Sequence, residues 1–341
     1  MTEPLKICII GCGRVAQSHG EGALASEGAV EISAIVSRSD EKRNAFREKF
    51  HVPNAYADID EALASGTFDA VDICLPNYLH ADCAVKCAAA GKHILLEKPM
   101  ANTSAECERI NAACHAAGVT LMIGQSRRYH EAVLLSKRLC DEGKIGRVIS
   151  VTGTLMGYLA APPTDWWRSS EKAGGLMIPL WGNHILDYIL FIFGEMPQRV
   201  YCEAYNNNPA WEGEDETTIL LGFSDDRFAT VRMSWNTRLA PEKKWTGDQK
   251  MLASSDILYE RFVQGDRGTM RLNDETKLSL NGETVFDNAA AKNNFAAQYR
   301  EFAASLREGR KPMTDGDSGV GLIRIQEAAL ESARTHRVIQ L

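Results

Sequence analysis

The sequence predicts an α/β Rossmann domain followed by an α+β domain whose sheet is mostly antiparallel and open. Three observations predict this organisation. A glycine-rich turn follows the first apolar segment, strand-like and helix-like segments alternate up to residue 124, and strand-like segments then follow one another. The chain has 341 residues, which is long for one hydrophobic core. We therefore expect two domains, residues 1–124 and residues 125–341.

The first domain is predicted from its alternating strand and helix signals. Short apolar runs bounded by turn residues indicate parallel strands, and the stretches between them have helical spacing. The expected strands are 7–10, 32–36, 70–75, 93–96 and 120–123, and the expected helices are 15–25, 40–50, 81–90 and 104–117. This alternation is typical of a parallel sheet with helices on both faces.

The second domain is predicted from a run of strands with few helices between them. Turn signals at Asn281-Gly282 and Ser224-Asp225-Asp226 favour hairpins, and residues 240–254 have the composition of an exposed loop. The expected strands are 147–155, 199–205, 217–223, 228–235, 257–263, 268–272 and 277–286, with helices at 183–193, 294–308 and 317–335. The two terminal helices could pack back on the first domain.

The composition opposes a nucleic-acid or membrane partner. The net charge is −7 and the sequence pI is about 5.7, so polyanions are not attracted. No apolar run approaches the roughly 20 residues that span a bilayer, and the first residues lack a signal-peptide pattern. We expect a cytoplasmic protein whose nine cysteines are small buried hydrophobic residues rather than metal ligands.

A glycine turn opens the first helix. The segment Gly11-Cys12-Gly13-Arg14-Val15-Ala16 follows the first strand directly. Gly11 permits a tight turn, Gly13 lets the backbone approach a pyrophosphate, and Ala16 allows close packing of helix and strand. The helix N-terminus offers its amide groups to the phosphates. We therefore predict a dinucleotide site at Gly11, Cys12, Gly13, Arg14 and Val15.

The end of the second strand bears on the choice between NAD and NADP. An acidic residue at that tip would bind the ribose 2′-hydroxyl and favour NAD. Here Ser37 and Arg38 occupy the tip, and Asp40 and Glu41 follow closely. Ser37 and Arg38 could bind a 2′-phosphate, or Arg38 could cover the adenine ring. The pattern favours NADP and leaves NAD open.

A lysine follows the strand expected at 93–96. In Leu95-Leu96-Glu97-Lys98-Pro99 the lysine comes at the carboxyl end of a parallel strand, the edge where open α/β sheets bind ligands. A surface lysine is the simpler interpretation. A proline directly after a buried strand makes a rigid exit, which favours a lysine held in a defined position.

With these motifs the sequence resembles the Gfo/Idh/MocA oxidoreductase family, which includes inositol dehydrogenases and glucose–fructose oxidoreductase. The resemblance extends over essentially the whole chain. It is carried by the glycine turn, Leu75-Pro76-Asn77 with His80, Glu97-Lys98-Pro99, Trp167-Arg168 ahead of Gly174-Gly175, Gly182-Asn183-His184-Ile185-Leu186-Asp187 and the Gly-Arg-Lys-Pro segment at 309–312. It implies NAD(P)-dependent hydride transfer to or from a hydroxyl-bearing carbon of a sugar, sugar derivative or cyclitol.

The resemblance also implies roles for individual residues. Lys98 matches the lysine that contacts nicotinamide ribose and substrate, and His184 matches the catalytic histidine. The positions that match residues near the cofactor are Pro76, Asn77, His80, Glu97, Gln125, Trp167 and Arg168. Candidates for substrate contact are Arg127, Arg128, Tyr129, Tyr158, Trp166, Arg168, Trp181, Asn183, Trp235 and Asn236. We expect Lys98 and His184 to meet in a cleft between the domains.

One departure from the family pattern concerns a proton relay. The family often has an aspartate four residues before the histidine, and Leu180 stands there in this chain. His184 can still act as an acid or base, and Asp187, one helical turn later, could orient it. An aspartate restored at position 180 is expected to be tolerated or to shift the pH profile of the reaction. The alternative for His184 is a structural histidine at the start of a helix.

Two other functions stay open at this point. Some relatives are glycosidases that keep their NAD, oxidise a ring hydroxyl transiently and show no net turnover of free cofactor. The replaced aspartate makes such altered chemistry plausible. The third hypothesis is a non-catalytic nucleotide-binding regulator, which an intact Lys98 and His184 oppose.

The expected sheet of the second domain leaves one face without helices. Relatives in the family bury this open face against a second subunit, so we expect a homodimer or homotetramer. Ile219, Leu221, Val231 and Met233 alternate with other residues along two strands. We expect them to form an apolar patch on the open face.

Overall fold

The computed structural model describes residues 3–239, 257–288 and 294–341, so the loop expected at 240–254 lies outside the described residues. The chain divides into two compact units. The first comprises Met1–Tyr129 with Asn293–Val320, and the second comprises His130–Lys292 with Gly321–Leu341. The division at Tyr129 comes a few residues after the boundary expected at 124.

The first unit is built on a parallel sheet. Its strands are β1 (Leu5–Ile10), β2 (Val30–Val36), β3 (Asn54–Tyr56), β4 (Ala70–Ile73), β5 (His93–Glu97) and β6 (Leu121–Gly124). Its helices in this stretch are α1 (Arg14–Leu24), α2 (Asp40–Phe50), α3 (Ile59–Ala64), α4 (His80–Ala89) and α5 (Ser104–Ala117). The strands lie in the order β3-β2-β1-β4-β5-β6, and every neighbouring pair is parallel. The predicted Rossmann sheet is confirmed.

Strand β3 and helix α3 were not predicted from the sequence. They have three and six residues. Segments this short are not long enough to show a hydrophobic period, so a prediction based on periodicity does not find them. Neither element carries a candidate site residue.

Helix α5 has the bounds that the sequence predicted, and its ends explain why. The Thr103 hydroxyl accepts from the amide of Glu106 at 3.2 Å, and the Glu106 carboxylate accepts from the amide of Thr103 at 3.1 Å. This reciprocal pair satisfies two amides that a helix start leaves without partners. Gly118, with a φ of 66°, ends the helix in the left-handed conformation that glycine adopts without strain.

The second unit holds a larger, mostly antiparallel sheet. Its elements up to residue 287 are α6 (Glu131–Asp141), β7 (Val148–Met156), α7 (Ser170–Ala173), α8 (Asn183–Phe193), β8 (Arg199–Tyr205), β9 (Glu216–Gly222), β10 (Phe228–Ser234), β11 (Leu258–Gly265), β12 (Thr269–Asn273), β13 (Lys277–Leu280) and β14 (Glu283–Asp287). Every hydrogen-bonded pair among these strands is antiparallel, except that β10 pairs with β7 in parallel. The open, mostly antiparallel sheet predicted from the sequence is confirmed.

Two predicted turns connect strands of this sheet. Asn281 and Gly282 have φ values of 51° and 89° between β13 and β14, which divides the strand expected at 277–286 into a hairpin. Asp225 and Asp226 have φ values of 53° and 58° between β9 and β10. Asparagine, aspartate and glycine tolerate these left-handed conformations, which match the twist of a hairpin.

The end of the chain is shared between the units. Helix α9 (Asn294–Glu308) belongs to the first unit, whereas most of α10 (Gly316–Thr335) and strand β15 (Ile339–Gln340) belong to the second. Strand β15 pairs with β8 and completes the nine-stranded order β14-β13-β12-β11-β7-β10-β9-β8-β15. Residues far apart in the chain therefore complete each unit.

The apolar residues expected on the open face of the second sheet are in the core instead. Ile219, Leu221, Val231 and Met233 have no exposed surface and belong to the cluster that packs under α8. That part of the prediction was wrong, because apolar residues that alternate along a strand do not show which face of the sheet is covered by helices.

The helical stretch Ser170–Phe193 is apolar enough to cross a membrane by length and composition. Its most apolar window has a mean hydropathy of 1.5. In the structure 89% of that window is buried inside the fold, and α8 contributes Ile185, Leu186 and Ile189 to the core. This burial is typical of a core helix.

Candidate functional site

The turn after β1 brings two backbone segments together. Gly11 has a φ of 107°, and a Cβ at this position would lie 2.6 Å from the carbonyl oxygen of Cys74. Glycine avoids both the backbone strain and the clash. The turn therefore lies directly against the loop that follows β4.

Gly13 precedes α1 and leaves space in front of the helix. It has an extended conformation, with φ −73° and ψ −176°, and no side chain to cap the helix. A Cβ built on Gly13 would meet no atom of the described residues within 4 Å. The first turn of α1 carries the positive end of the helix dipole. This combination fits the diphosphate of a dinucleotide, which needs backbone amides and room for its oxygens.

The tip of β2 lies beside the glycine turn. The Ser37 hydroxyl is within hydrogen-bonding reach of the Cys12 thiol, whose pKa is raised because burial outweighs the effect of Ser37. Arg43 donates to the Ser37 carbonyl oxygen at 2.5 Å and pairs with Asp40. The side chain of Arg38 is exposed. Of the two arginines, Arg38 is the one placed to receive a ligand.

His80 ties the loop after β4 to the loop after β5. Its Nδ1 lies 3.0 Å from the carbonyl oxygen of Pro99, and its Nε2 lies 2.8 Å from that of Leu75. Burial lowers the pKa of His80, and its hydrogen bonds to backbone oxygens oppose this shift. Asn77 is also buried, and its side-chain amide donates to Asn102. These contacts fix both loops, and they place His80 within the fold rather than on its surface.

Lys98 lies among charged groups at the end of β5. Burial lowers the pKa of its ammonium group to about 8; the carboxylate of Glu97 opposes this shift, and Arg127 and Arg14 add to it. The Lys98 amide donates to Glu97 Oε2 at 3.2 Å. A lysine with this pKa is charged at neutral pH and loses its proton in mildly alkaline solution. Lys98, Glu97, Arg127 and Arg14, which the sequence analysis had already singled out, are therefore near one another.

The segment after β6 turns most of its side chains inward. A single 3₁₀ turn covers Ser126–Tyr129, and the amide of Arg128 donates to the Gln125 carbonyl oxygen at 2.9 Å. Gln125 and Arg128 are buried, and the Tyr129 hydroxyl lies 3.1 Å from the Thr314 hydroxyl. Arg127 is half-buried. Arg127 is thus better placed for a ligand than Arg128 or Tyr129.

His184 of the second unit follows a wide helical turn. Residues Ile178–Gly182 form a π-helical turn that leads into α8, in which Asn183 and His184 are the first two residues. Both side chains are buried, and the ring of Trp181 lies 6.2 Å from that of His184 at a steep angle. Turns of the π type are rare and occur frequently at functional sites.

Leu180 lies in the apolar core of the second unit. It is 4% exposed and belongs to the main hydrophobic cluster. An aspartate in its place would bring a carboxylate into apolar surroundings, which costs several kcal/mol unless the charge is neutralised or paired. The structure therefore opposes the expectation that Leu180→Asp is tolerated.

A buried carboxylate that sequence reasoning missed holds the start of the π-helical turn. Glu214 accepts from the amide of Ile178 at 2.7 Å and from the amide of Leu176 at 3.1 Å. Burial raises the pKa of Glu214, and the two amides oppose this shift. The run Glu214-Asp215-Glu216, which leads into β9, was the available signal. Because these amides lie just before His184, Glu214 fixes the segment that carries it.

Several predicted substrate contacts lie near one another in the second unit. The rings of Trp181 and Trp235 are 5.3 Å apart and nearly perpendicular, but Trp235 is 1% exposed. Tyr158 pairs with Asn236 in an isolated bridge, and the guanidinium of Arg238 lies 4.0 Å from the Tyr158 ring centroid. Tyr158 and Asn236 are half-buried and are the better candidates for a sugar.

Trp167 and Arg168 lie on a loop that contacts other residues of the second unit. Trp167 is buried and packs edge-on against Trp166 at 5.9 Å. Arg168 is exposed, donates to the Ala210 carbonyl oxygen at 3.0 Å, and its carbonyl oxygen accepts from the Glu212 amide. Of the pair, Arg168 is the side chain that solvent and ligands can reach.

Comparison with protein-family models gives two matches. Residues 5–125 match the model described as an oxidoreductase family with an NAD-binding Rossmann fold. Residues 133–252 match the model of the GFO/IDH/MocA C-terminal domain. The two matches together cover most of the chain and correspond to its two units.

Known proteins resemble the chain along nearly its full length. It is 27% identical to D-xylose 1-dehydrogenase (NADP(+)) 2 of Haloferax volcanii, over 91% of this chain and 92% of the relative. It is 24% identical to the myo-inositol 2-dehydrogenase of Thermotoga maritima, over 99% of this chain and 98% of the relative. The solved structure of the aldose-aldose oxidoreductase of Caulobacter crescentus, complexed with glycerol, superposes with a TM-score of 0.86 and 26% identity, over 99% of this chain and all of the other.

Proposed function

The chain belongs to the Gfo/Idh/MocA oxidoreductase family, and from this premise we propose that it oxidises or reduces a hydroxyl-bearing carbon of a sugar, sugar derivative or cyclitol with a nicotinamide dinucleotide. The observation that carries the proposal is the first unit itself. It combines open space at Gly13 in front of a helix N-terminus with a charged Lys98 at the end of a nearby strand. These features suit an anionic dinucleotide and a reacting hydroxyl.

The roles of the protein's residues follow from this reaction. The dinucleotide, when bound, supplies the hydride acceptor or donor. Removal of a hydride from a carbinol carbon requires that the hydroxyl proton leave, and a base must take it. We assign that proton to His184. Lys98, as an ammonium ion, favours the alkoxide form of the hydroxyl through its charge.

A substrate screen tests the proposed function. Purified protein would be incubated with sugars, uronic acids, inositols and glycosides, with NAD(H) or NADP(H) in separate series. Net change of cofactor absorbance with a sugar or cyclitol is the expected result. Release of a glycosidic substituent without net cofactor change would instead identify the redox-neutral glycosidase. Binding of the dinucleotide without turnover of any compound would favour the non-catalytic regulator.

Gly13→Val is expected to weaken dinucleotide binding by about 10- to 100-fold. Because the added side chain meets none of the described residues, the fold should accept it, while its methyl groups enter the space proposed for the diphosphate. Steric strain of this kind costs roughly 1–3 kcal/mol. Calorimetric titration measures the affinity, and an unchanged melting temperature is the control for folding. Undiminished affinity would show that the dinucleotide does not bind at this turn.

Arg38→Ala is expected to weaken the binding of NADP by about 10-fold and that of NAD much less. Arg38 is exposed at the tip of β2, whereas Arg43 is engaged with Ser37 and Asp40. A charge-assisted hydrogen bond to a 2′-phosphate contributes roughly 1.5–3 kcal/mol. Calorimetry with both cofactors checks this, with exposed Lys42→Ala as the matched control. Equal losses for both cofactors would remove Arg38 as a reader of the 2′-phosphate.

A homodimer or homotetramer formed through the open face of the second sheet is the proposed assembly. Leu220, Thr230, Thr152 and Phe262 pair across neighbouring strands in one row, and Leu220 and Phe262 are 45% and 41% exposed. A second subunit would cover this partly apolar row. Light scattering should give a mass well above 37.6 kDa, and Phe262→Glu should lower it. A wild-type mass near 37.6 kDa at micromolar concentration would contradict the proposal.

A further inference from the structure

A buried group of ionisable side chains surrounds Glu97, the last residue of β5 and the neighbour of Lys98. His19 of α1 has no exposed surface; its Nδ1 lies 2.7 Å from Asp72 Oδ2 and its Nε2 lies 3.0 Å from Glu97 Oε1. Asp72 belongs to β4 and Glu97 to β5. The proposed reaction does not use His19 or Asp72, although such charged groups are costly to bury.

The contacts of His19 determine its protonation. Each ring nitrogen faces a carboxylate oxygen, and a nitrogen must carry a proton to donate to such an oxygen. A ring with both protons is an imidazolium ion. Burial by itself lowers the pKa of His19, but the charge and hydrogen bond of Asp72 outweigh it, so the pKa is raised well above its usual value.

The other groups around the ring support this arrangement. From α9, Tyr299 donates its hydroxyl to Asp72 and Phe295 packs 4.7 Å from the His19 ring. Directly after β4, the Cys74 thiol lies 3.6 Å from Asp72 Oδ1. Burial raises the pKa values of Tyr299 and Cys74, so both stay neutral donors. In the described part of the chain, the titratable groups that face His19 are thus Asp72, Cys74, Glu97 and Tyr299.

Glu97 connects this group to Lys98. One of its oxygens contacts His19, and the other accepts from the amide of Lys98 at 3.2 Å. A Cβ at Gly124 of β6 would lie 2.9 Å from Glu97 Oε1, so glycine leaves room for the carboxylate. The charge of Glu97 supports the charged form of Lys98, whereas Arg14 and Arg127 oppose it.

We propose that His19 is a positioning residue for Lys98, acting by holding the Glu97 carboxylate in place. This inference rests on the proposed function only because that function gives Lys98 its role at the substrate. A purely structural tie between α1, β4 and β5 is the alternative. The two differ in what happens to the protonation of Lys98 when His19 is replaced.

The direction of that change separates the mechanisms. If His19 acted on Lys98 directly, loss of its positive charge would raise the pKa of Lys98. If it acts through Glu97, its loss frees the Glu97 carboxylate to move away from Lys98, and the pKa of Lys98 falls. A structural tie predicts a less stable protein with Lys98 unchanged.

Competitive labelling of Lys98 by trace acetic anhydride over a pH series measures this protonation without substrate or turnover. The readout is the labelled peptide, so a failure of the proposed function would leave the result intact. The wild-type midpoint is expected at about 8. His19→Gln and Glu97→Gln should each lower it by about one unit, the scale for loss of a neighbouring opposite charge. The double variant should show no further shift, because both changes act through one carboxylate.

Tyr299→Phe is the matched control. It removes a donor to Asp72 from the same buried group but leaves both contacts of His19, so stability should fall while the Lys98 midpoint stays. A midpoint that rises or stays unchanged in His19→Gln would overturn the proposal, as would an equal shift in Tyr299→Phe. If His19→Gln does not fold, ¹⁵N shifts of the wild-type His19 ring decide: a doubly protonated ring supports the proposal, and a neutral ring at neutral pH overturns it.

Discussion

Replacement of Lys98 by alanine is expected to lower turnover of the sugar or cyclitol substrate by about 100-fold or more, while binding of the dinucleotide persists. In the proposed mechanism the positive charge of Lys98 stabilises the developing alkoxide, so we expect its loss to act on the chemical step. The glycine turn at Gly11–Gly13, where we propose that the diphosphate binds, is unchanged in this variant. Steady-state kinetics and calorimetric titration of the cofactor measure the two effects separately. Lys86→Ala, which removes an exposed lysine paired with Asp60, is the matched control and should keep normal turnover.

The pH dependence gives Lys98 a second signature. Because burial lowers the pKa of Lys98 to about 8, its charge is present below that pH and is lost above it. We therefore expect kcat/KM to fall as the pH rises through about 8. Lys98→Arg keeps its charge at all these pH values, so this alkaline decline should disappear in the variant even if its rate is lower. An alkaline decline retained in Lys98→Arg would assign it to another group.

Replacement of His184 by alanine is also expected to lower turnover by about 100-fold or more, the scale of losing a general base. His184 is buried directly after the π-helical turn that Glu214 holds, so its ring is confined to a defined position. Added imidazole should restore part of the activity, because a free base can occupy the vacated volume. Kinetics with and without imidazole, together with the melting temperature, check this expectation.

A structural histidine would behave differently from a catalytic one. His184→Ala would then lower the melting temperature, keep near-normal turnover and gain nothing from imidazole. His115→Ala, on the exposed face of α5, is the matched control and should change neither quantity. If turnover survives in His184→Ala, Tyr158 is the next candidate for the proton transfer.

Local sequence signals determined most of the elements and the nucleotide-binding turn. Helices 104–117, 183–193 and 294–308 have their predicted bounds, because caps, glycine ends and apolar spacing act within a few residues. The conformation of Gly11 follows equally from its place between a strand and a helix. The family resemblance added His184 and the expected role of Lys98, since short motifs carry that information.

Tertiary structure decided which face of the second sheet is covered, which ionisable groups lie close enough to change one another's charge, and which residues far apart in the chain form hydrogen bonds. Alternation in β9 and β10 fixed the spacing of Ile219 and Val231 but not the face that helices cover, so the predicted open patch is core. His19, Asp72 and Glu97 come from three separate elements. The sequence of any one element therefore shows neither the charge of His19 nor the carboxylates that it contacts. Glu214 likewise reaches a helix start 36 residues earlier in the chain. Periodicity is local, whereas burial and electrostatics depend on which distant segments the fold brings into contact.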